Sequence, residues 1–77
     1  MKEIKKGQKY LHFKGHEYVI LEIARDSETA KEVVVYQAQY DSAEFGSNQI
    51  WVRSVDDFCG TKEIDGEIVE RFKLIED

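Results

Sequence analysis

From Glu32 to Tyr40 the chain alternates. Val34, Tyr36, Ala38 and Tyr40 fall on one side of an extended backbone; Val33, Val35, Gln37 and Gln39 fall on the other. Alternation with a period of two marks a strand with one face toward a core. The second face turns polar halfway, as expected where a strand end meets water. A helix competes for the same stretch, because Thr29-Ala30-Lys31-Glu32 fits a capping box. Three consecutive valines and a tyrosine weigh against it. β-branched side chains lose rotamer freedom in a helix and pack well on a pleated surface. The run is predicted to be the central strand of the domain.

The flanking pattern predicts further strands. Gln8–Phe13 reads as the first, opened by Gly7 and broken by Lys14-Gly15, where glycine permits a tight turn. Tyr18–Arg25 reads as the second. Val19, Leu21 and Ile23 share one face; Tyr18, Ile20, Glu22 and Ala24 share the other. Both faces are mostly apolar, which predicts a strand covered on both sides over part of its length. Asp26-Ser27-Glu28-Thr29 is a polar connection whose short side chains can bond their own backbone. Asp41–Gln49 reads as the longest loop, with Phe45 tucked beneath it as a plug or displayed. The plug is the commoner arrangement.

Ile50–Arg53 reads as a short strand. Ser54-Val55-Asp56-Asp57-Phe58-Cys59-Gly60 is a helix signal of about one turn: Ser54 suits the N-cap, acids fill the first turn, and Gly60 stands where a left-handed C′ glycine belongs. Val55, Phe58 and Cys59 are expected to face inward. Asp65-Gly66 between two β-forming runs is the type I′ hairpin signal. Phe72 and Leu74 then share one face, and the chain closes on an acidic tail expected to fray. Six short strands and a helical turn near residues 54–59 predict a mainly β fold. The arrangement expected is a small, bent antiparallel barrel, whose closure removes sheet edges. A helical turn between late strands is a habit of SH3-like barrels.

Size and charge narrow the functions available. The 77 residues are read as one domain, residues 1–77, with a thin core, so the default work of an aromatic ring is packing. Cys59 is the only cysteine, so no intrachain disulfide holds the fold. The start, MKEIKKGQKY, lacks the apolar run of a secretion signal, and no stretch approaches transmembrane length. A soluble, cytoplasmic protein with no membrane association is expected. Net charge is −5, yet five of the 11 basic residues lie within the first 14 positions. An acidic domain repels phosphate backbones over most of its surface. Only the N-terminal face suits them.

Several short motifs stand in a familiar order: Tyr10-Leu11-His12-Phe13-Lys14-Gly15, Ser27-Glu28-Thr29, Val35-Tyr36, Tyr40, Trp51-Val52-Arg53, Phe58, and the Asp65-Gly66 turn followed by Arg71-Phe72. From about Gly7 to Leu74 the chain resembles a small bacterial family, domain of unknown function 1653. The resemblance implies an SH3-like β-barrel of bacterial origin and no particular activity. The chain departs from the family pattern at Asp26, where histidine is common, at Ser54, where proline is common, and at Glu70, where proline often precedes Arg-Phe.

Candidate chemistry is sparse. His12 and His16 straddle a strand and its turn, and with a single cysteine in the chain they make a poor start toward four zinc ligands. No metal and no cofactor are expected. Cys59 at the end of a helical turn meets a dipole that opposes a thiolate, so a small buried hydrophobe is the expected role. Glycine-rich phosphate loops, G-x-S-x-G and H-E-x-x-H are absent. No catalytic residue is assigned, which favours a non-enzymatic domain. The best functional cluster is aromatic and polar: Tyr10, His12, Tyr36, Tyr40, Trp51 and Arg53. Exposed Tyr, Trp and Arg dominate binding hot spots, and small barrels bind extended peptides in aromatic grooves. The competing reading has these rings filling the core, with Arg53 paired to Glu28 or Asp26. A protein or peptide interaction module is the leading reading. Single-stranded nucleic-acid binding through the lysine-rich first strand is the alternative. A small hydrolase or metal-dependent enzyme built on His12, His16 or Cys59 stands third.

Overall fold

The computed structural model describes residues 4–77. The chain runs β1 (Lys9–His12), β2 (Glu17–Arg25), β3 (Glu32–Ala38), β4 (Asp41–Ser42), β5 (Gly46–Ser47), β6 (Ile50–Ser54), α1 (Val55–Phe58), β7 (Thr61–Ile64), β8 (Glu67–Glu70) and β9 (Phe72–Glu76). Five strands form an antiparallel sheet in the order β6-β3-β2-β1-β9. The β4–β5 and β7–β8 ribbons stand apart as two-stranded hairpins. No described helix is long and apolar enough to cross a membrane.

The alternation in β3 sets the core. Val34, Tyr36 and Ala38 are buried, whereas Val33, Val35 and Gln37 are only half-buried. Residues opposed across an antiparallel ladder share a face. Tyr36 stands between Ile20 and Trp51, Val34 between Ile23 and Arg53, and Tyr10 between Tyr18 and Leu74. α1 lays Phe58 over this inner face. The Phe58 and Phe72 rings stack 4.1 Å apart with planes 7° from parallel. Eight residues form the buried cluster: Tyr10, Tyr18, Ile20, Val34, Tyr36, Ala38, Phe58 and Phe72. Five of them are tyrosine or phenylalanine rings; Tyr18 and Tyr36 meet Phe72 edge to face, and Tyr10 meets Phe58 in the same way.

Several expectations change. The two apolar faces of β2 do not mean double coverage. A bulge at Leu21 puts one extra residue opposite β3, so Tyr18 and Ile20 point inward before it and Ile23 after it. The alternation is interrupted, and each face reads apolar for part of its length. The ladder expected to close into a barrel ends at β6 on one side and β9 on the other, with no pairing between them among the described residues. What stands is a five-stranded open sheet. The 41–49 loop folds back as the β4–β5 hairpin, and Phe45 stays 51% exposed instead of plugging a cavity. The tail continues as β9, and Asp77 accepts a hydrogen bond from Gln8 Nε2 at 3.0 Å.

The turn and cap signals divide. Asp65 (φ 50°) and Gly66 (φ 82°) both sit left-handed, as a type I′ turn requires. Ser54 caps α1, its Oγ accepting from Asp57 N at 3.1 Å. Gly60 serves another purpose than expected. Its backbone is not left-handed, but a Cβ there would lie 3.2 Å from the Asp57 carbonyl, so the close approach selects glycine. Cys59 is exposed, contrary to the buried role expected for it; Phe58 alone of that turn is buried, with Val55 half-buried.

Candidate functional site

The six candidate residues do not end in equivalent places. Tyr10 and Tyr36 are core residues, 2% and 5% exposed. Tyr10 Oη donates to Gln8 Oε1 at 3.1 Å, and burial pushes its phenol above the usual value, with electrostatic contributions from Cys59, Asp77 and Glu70 adding to the effect. Its ring packs edge to face on Phe58, within the core. His12, Tyr40, Trp51 and Arg53 are half-buried and form the rim of the same inner face. The ladder explains the grouping: Arg53 and Trp51 are two residues apart on β6, opposite Val34 and Tyr36, and His12 faces Phe72 across β1–β9.

Arg53 does not pair with Glu28 or Asp26. It lies with Cζ 5.7 Å from the Phe72 ring centre, and its Nε reaches Tyr36 Oη at 3.4 Å. The turn expected to need it is held locally. Asp26 Oδ1 accepts from the amides of Glu28 and Thr29, and Arg25 Nη1 donates to the Ala30 carbonyl at 2.7 Å. Buried Tyr36 therefore enters the site only through its hydroxyl.

Three further rings complete the rim. Tyr18 and Tyr40 bring their hydroxyls within 2.9 Å of each other. His16 stacks on Tyr40 at 4.2 Å, and Phe45 meets Trp51 edge to face at 5.0 Å. Tyr18, His16 and Phe45 were absent from the sequence-derived cluster. For Tyr18 a signal existed, since it alternates with buried Ile20. For Phe45 none did, because nothing local to the loop says where it folds back.

The electrostatics are one-sided. Desolvation holds the His12 imidazole below its ordinary value, and the positive charges of Arg53, Lys14, Arg71 and His16 press it further down. Its Nδ1 accepts from the Lys14 amide at 3.2 Å, which leaves the proton of the neutral ring on Nε2. Tyr18 is raised by burial, by its hydrogen bond to Tyr40 and by the neighbouring phenols, with Arg53 pulling the other way. Arg71 Nε is buried without a hydrogen-bond partner.

Among the described residues no three of His, Cys, Asp and Glu come together as a metal site needs. His12 and His16 are engaged with rings, on Phe72 at 4.9 Å and Tyr40 at 4.2 Å. One shallow cleft lies beside the rim, between β1, its turn and the β7–β8 hairpin, and includes His12; another lies on the outer face around Val33, Val35 and Val52.

A family model described as "Protein of unknown function (DUF1653)" matches residues 8–74. A crystal structure of a protein belonging to the same family, from Bordetella bronchiseptica, is 29% identical. The match covers 99% of this chain and 92% of that one, with a TM-score of 0.81. No curated protein matches.

Proposed function

The chain belongs to the protein family of unknown function DUF1653, and within that family we propose that it is a non-enzymatic, SH3-like interaction domain that binds an extended peptide along the inner-face rim. The reading takes the bent open sheet, with one helical turn after its edge strand, as an SH3-like arrangement. It places the domain in the bacterial cytoplasm.

One observation carries it. Trp51 and Arg53, neighbours on one face of the edge strand β6, remain half-exposed while the rings behind them are buried. Tryptophan and arginine held on a rigid strand lose little freedom when a ligand arrives, and both rank high among binding hot spots. Phe45, 51% exposed, extends the apolar surface beside Trp51. The nucleic-acid alternative is weaker. Lys6 and Lys9 stand 3.7 Å from Glu22 and Glu76, so their charge is already partly answered.

Amide and indole shift mapping of the ¹⁵N-labelled domain against pools of extended peptides tests this reading. Perturbation centred on the Trp51 indole, Tyr40 and Phe45 is expected. Perturbation confined to Val33, Val35 and Val52, or to the β7–β8 hairpin, overturns it.

A further inference from the structure

The hydrogen-bonding groups of the rim are unbalanced. Arg53 uses Nε toward Tyr36, and its terminal nitrogens make no hydrogen bond among the described residues. Tyr36, accepting at Oη, keeps its own O–H to donate. In the Tyr18–Tyr40 pair one hydroxyl donates to the other, and one proton is left over. Neutral His12 offers Nε2–H, because Nδ1 is taken by the Lys14 amide. The residues that carry these donors all adjoin the Phe72 ring: the rings of His12, Tyr36 and Tyr18 lie 4.9, 5.5 and 5.7 Å from its centre, and the Arg53 guanidinium 5.7 Å.

Among the described residues no carboxylate bonds to Arg53 or His12, although Glu70 lines the cleft that includes His12. Arg53 forms no ion pair among the described residues, and the charges that press on His12 are all cationic. This is a donor-rich, positively charged spot on a chain of net charge −5. A half-buried guanidinium among unmatched donors is complemented by an anion with several lone pairs.

Resting on the interaction-domain reading, we propose that this spot receives the carboxylate of a peptide ligand, with the apolar side chain two positions along the ligand seated on Trp51 and Phe45. Arg53 and Trp51 are themselves two apart on a strand, about 7 Å along it. A ligand strand with the same spacing places an acidic and an aromatic side chain over the pair. A single carboxylate fits better than a nucleic-acid backbone. The chain as a whole carries a net charge of −5, which repels an extended run of phosphates more than it repels one carboxylate.

Two blocked tetrapeptides, acetyl-Gly-Asp-Gly-Phe-amide and its Asn counterpart, are titrated into the labelled domain, with an eight-residue oligouridylate as a third probe. The Asp peptide is expected to shift Arg53 Nε–H and the Trp51 indole and to bind at least about tenfold more tightly than the Asn peptide, the scale of a charge-assisted hydrogen bond. Arg53→Gln is expected to erase that preference, and Arg53→Lys, which keeps the charge, to retain part of it. The Asp-against-Asn comparison on the native protein does not depend on either variant folding. Equal binding of the two peptides at Trp51 overturns the carboxylate assignment and leaves the interaction-domain reading standing. Failure of both peptides to perturb the rim overturns the carboxylate assignment, and the peptide-pool mapping then decides the broader reading separately. Binding of oligouridylate alone overturns the choice of a peptide.

Discussion

The hydroxyls of Tyr18 and Tyr40 meet 2.9 Å apart, joining the middle of the sheet to the start of the 41–49 loop. Tyr18 is buried and Tyr40 only half-buried, so the pair ties a core ring to the rim.

Tyr40→Phe is expected to cost about 1 kcal/mol, the usual net worth of such a bond, because the Tyr18 hydroxyl loses its partner among the described residues. Urea unfolding at neutral pH reads this as a lower midpoint at an unchanged slope. The pair also predicts behaviour in alkali. Burial first, then the bond to Tyr40, raises the Tyr18 phenol above its ordinary value near 10. The native state then holds a proton that the unfolded chain releases. That contribution to stability is full below pH ~10 and declines as pH climbs toward the folded value. Ultraviolet titration at 295 nm should show Tyr10 and Tyr18 titrating late, with one of the two late steps moved earlier in Tyr40→Phe.

His12 predicts the opposite end of the scale. Its imidazole is depressed, mainly by desolvation and next by Arg53. The unfolded chain takes up the proton first as pH falls, so the stabilising contribution is whole above pH ~6.5 and is lost as pH drops through the folded value. Replacing Arg53 with Gln should raise the His12 midpoint, read from the imidazole Cε1–H shift. A midpoint unmoved by that change removes Arg53 from the neighbourhood of His12.

Gln8 is buried at 4% exposure and ties several groups together. Its Oε1 accepts from the Lys5 amide at 2.7 Å and from Tyr10 Oη at 3.1 Å, and its Nε2 donates to Asp77. Gln8→Leu strands the Tyr10 hydroxyl in the core and is expected to cost about 1–3 kcal/mol. Amide exchange in Phe72–Glu76 should speed up along with the loss, since the tie to the chain end goes too.

Gly66 tests the hairpin. Its φ of 82° lies in the region where a Cβ collides with the following carbonyl, although no neighbouring side chain is near. Gly66→Ala is expected to cost about 1–2 kcal/mol through backbone strain alone. Circular dichroism melts should show the loss with no change in the folded spectrum.

Much of the fold was legible from local signals. The alternation of Val34, Tyr36 and Ala38 declared a strand, Ser54 declared a helix start, and Asp65-Gly66 declared a hairpin. The candidate site was legible in part, since Trp51 and Arg53 on one face, and Tyr36 opposite, follow from strand parity once the pairing is given. His16 and Phe45 were missed because the rings they meet, Tyr40 and Trp51, are brought to them only by the fold, whereas Tyr18 could have been found from its alternation with Ile20.

By itself the sequence determined which stretches are extended and where they turn, because backbone preference and side-chain alternation act over a few residues. Only the tertiary structure decided which rings are sealed in and which reach the rim. The bulge at Leu21 changes which β2 residues face inward, Cys59 points out, and Arg53 settles on Phe72 instead of a carboxylate. Each of these outcomes is fixed by partners far away in sequence, and the energy of a contact between distant residues leaves no trace in the local pattern of either.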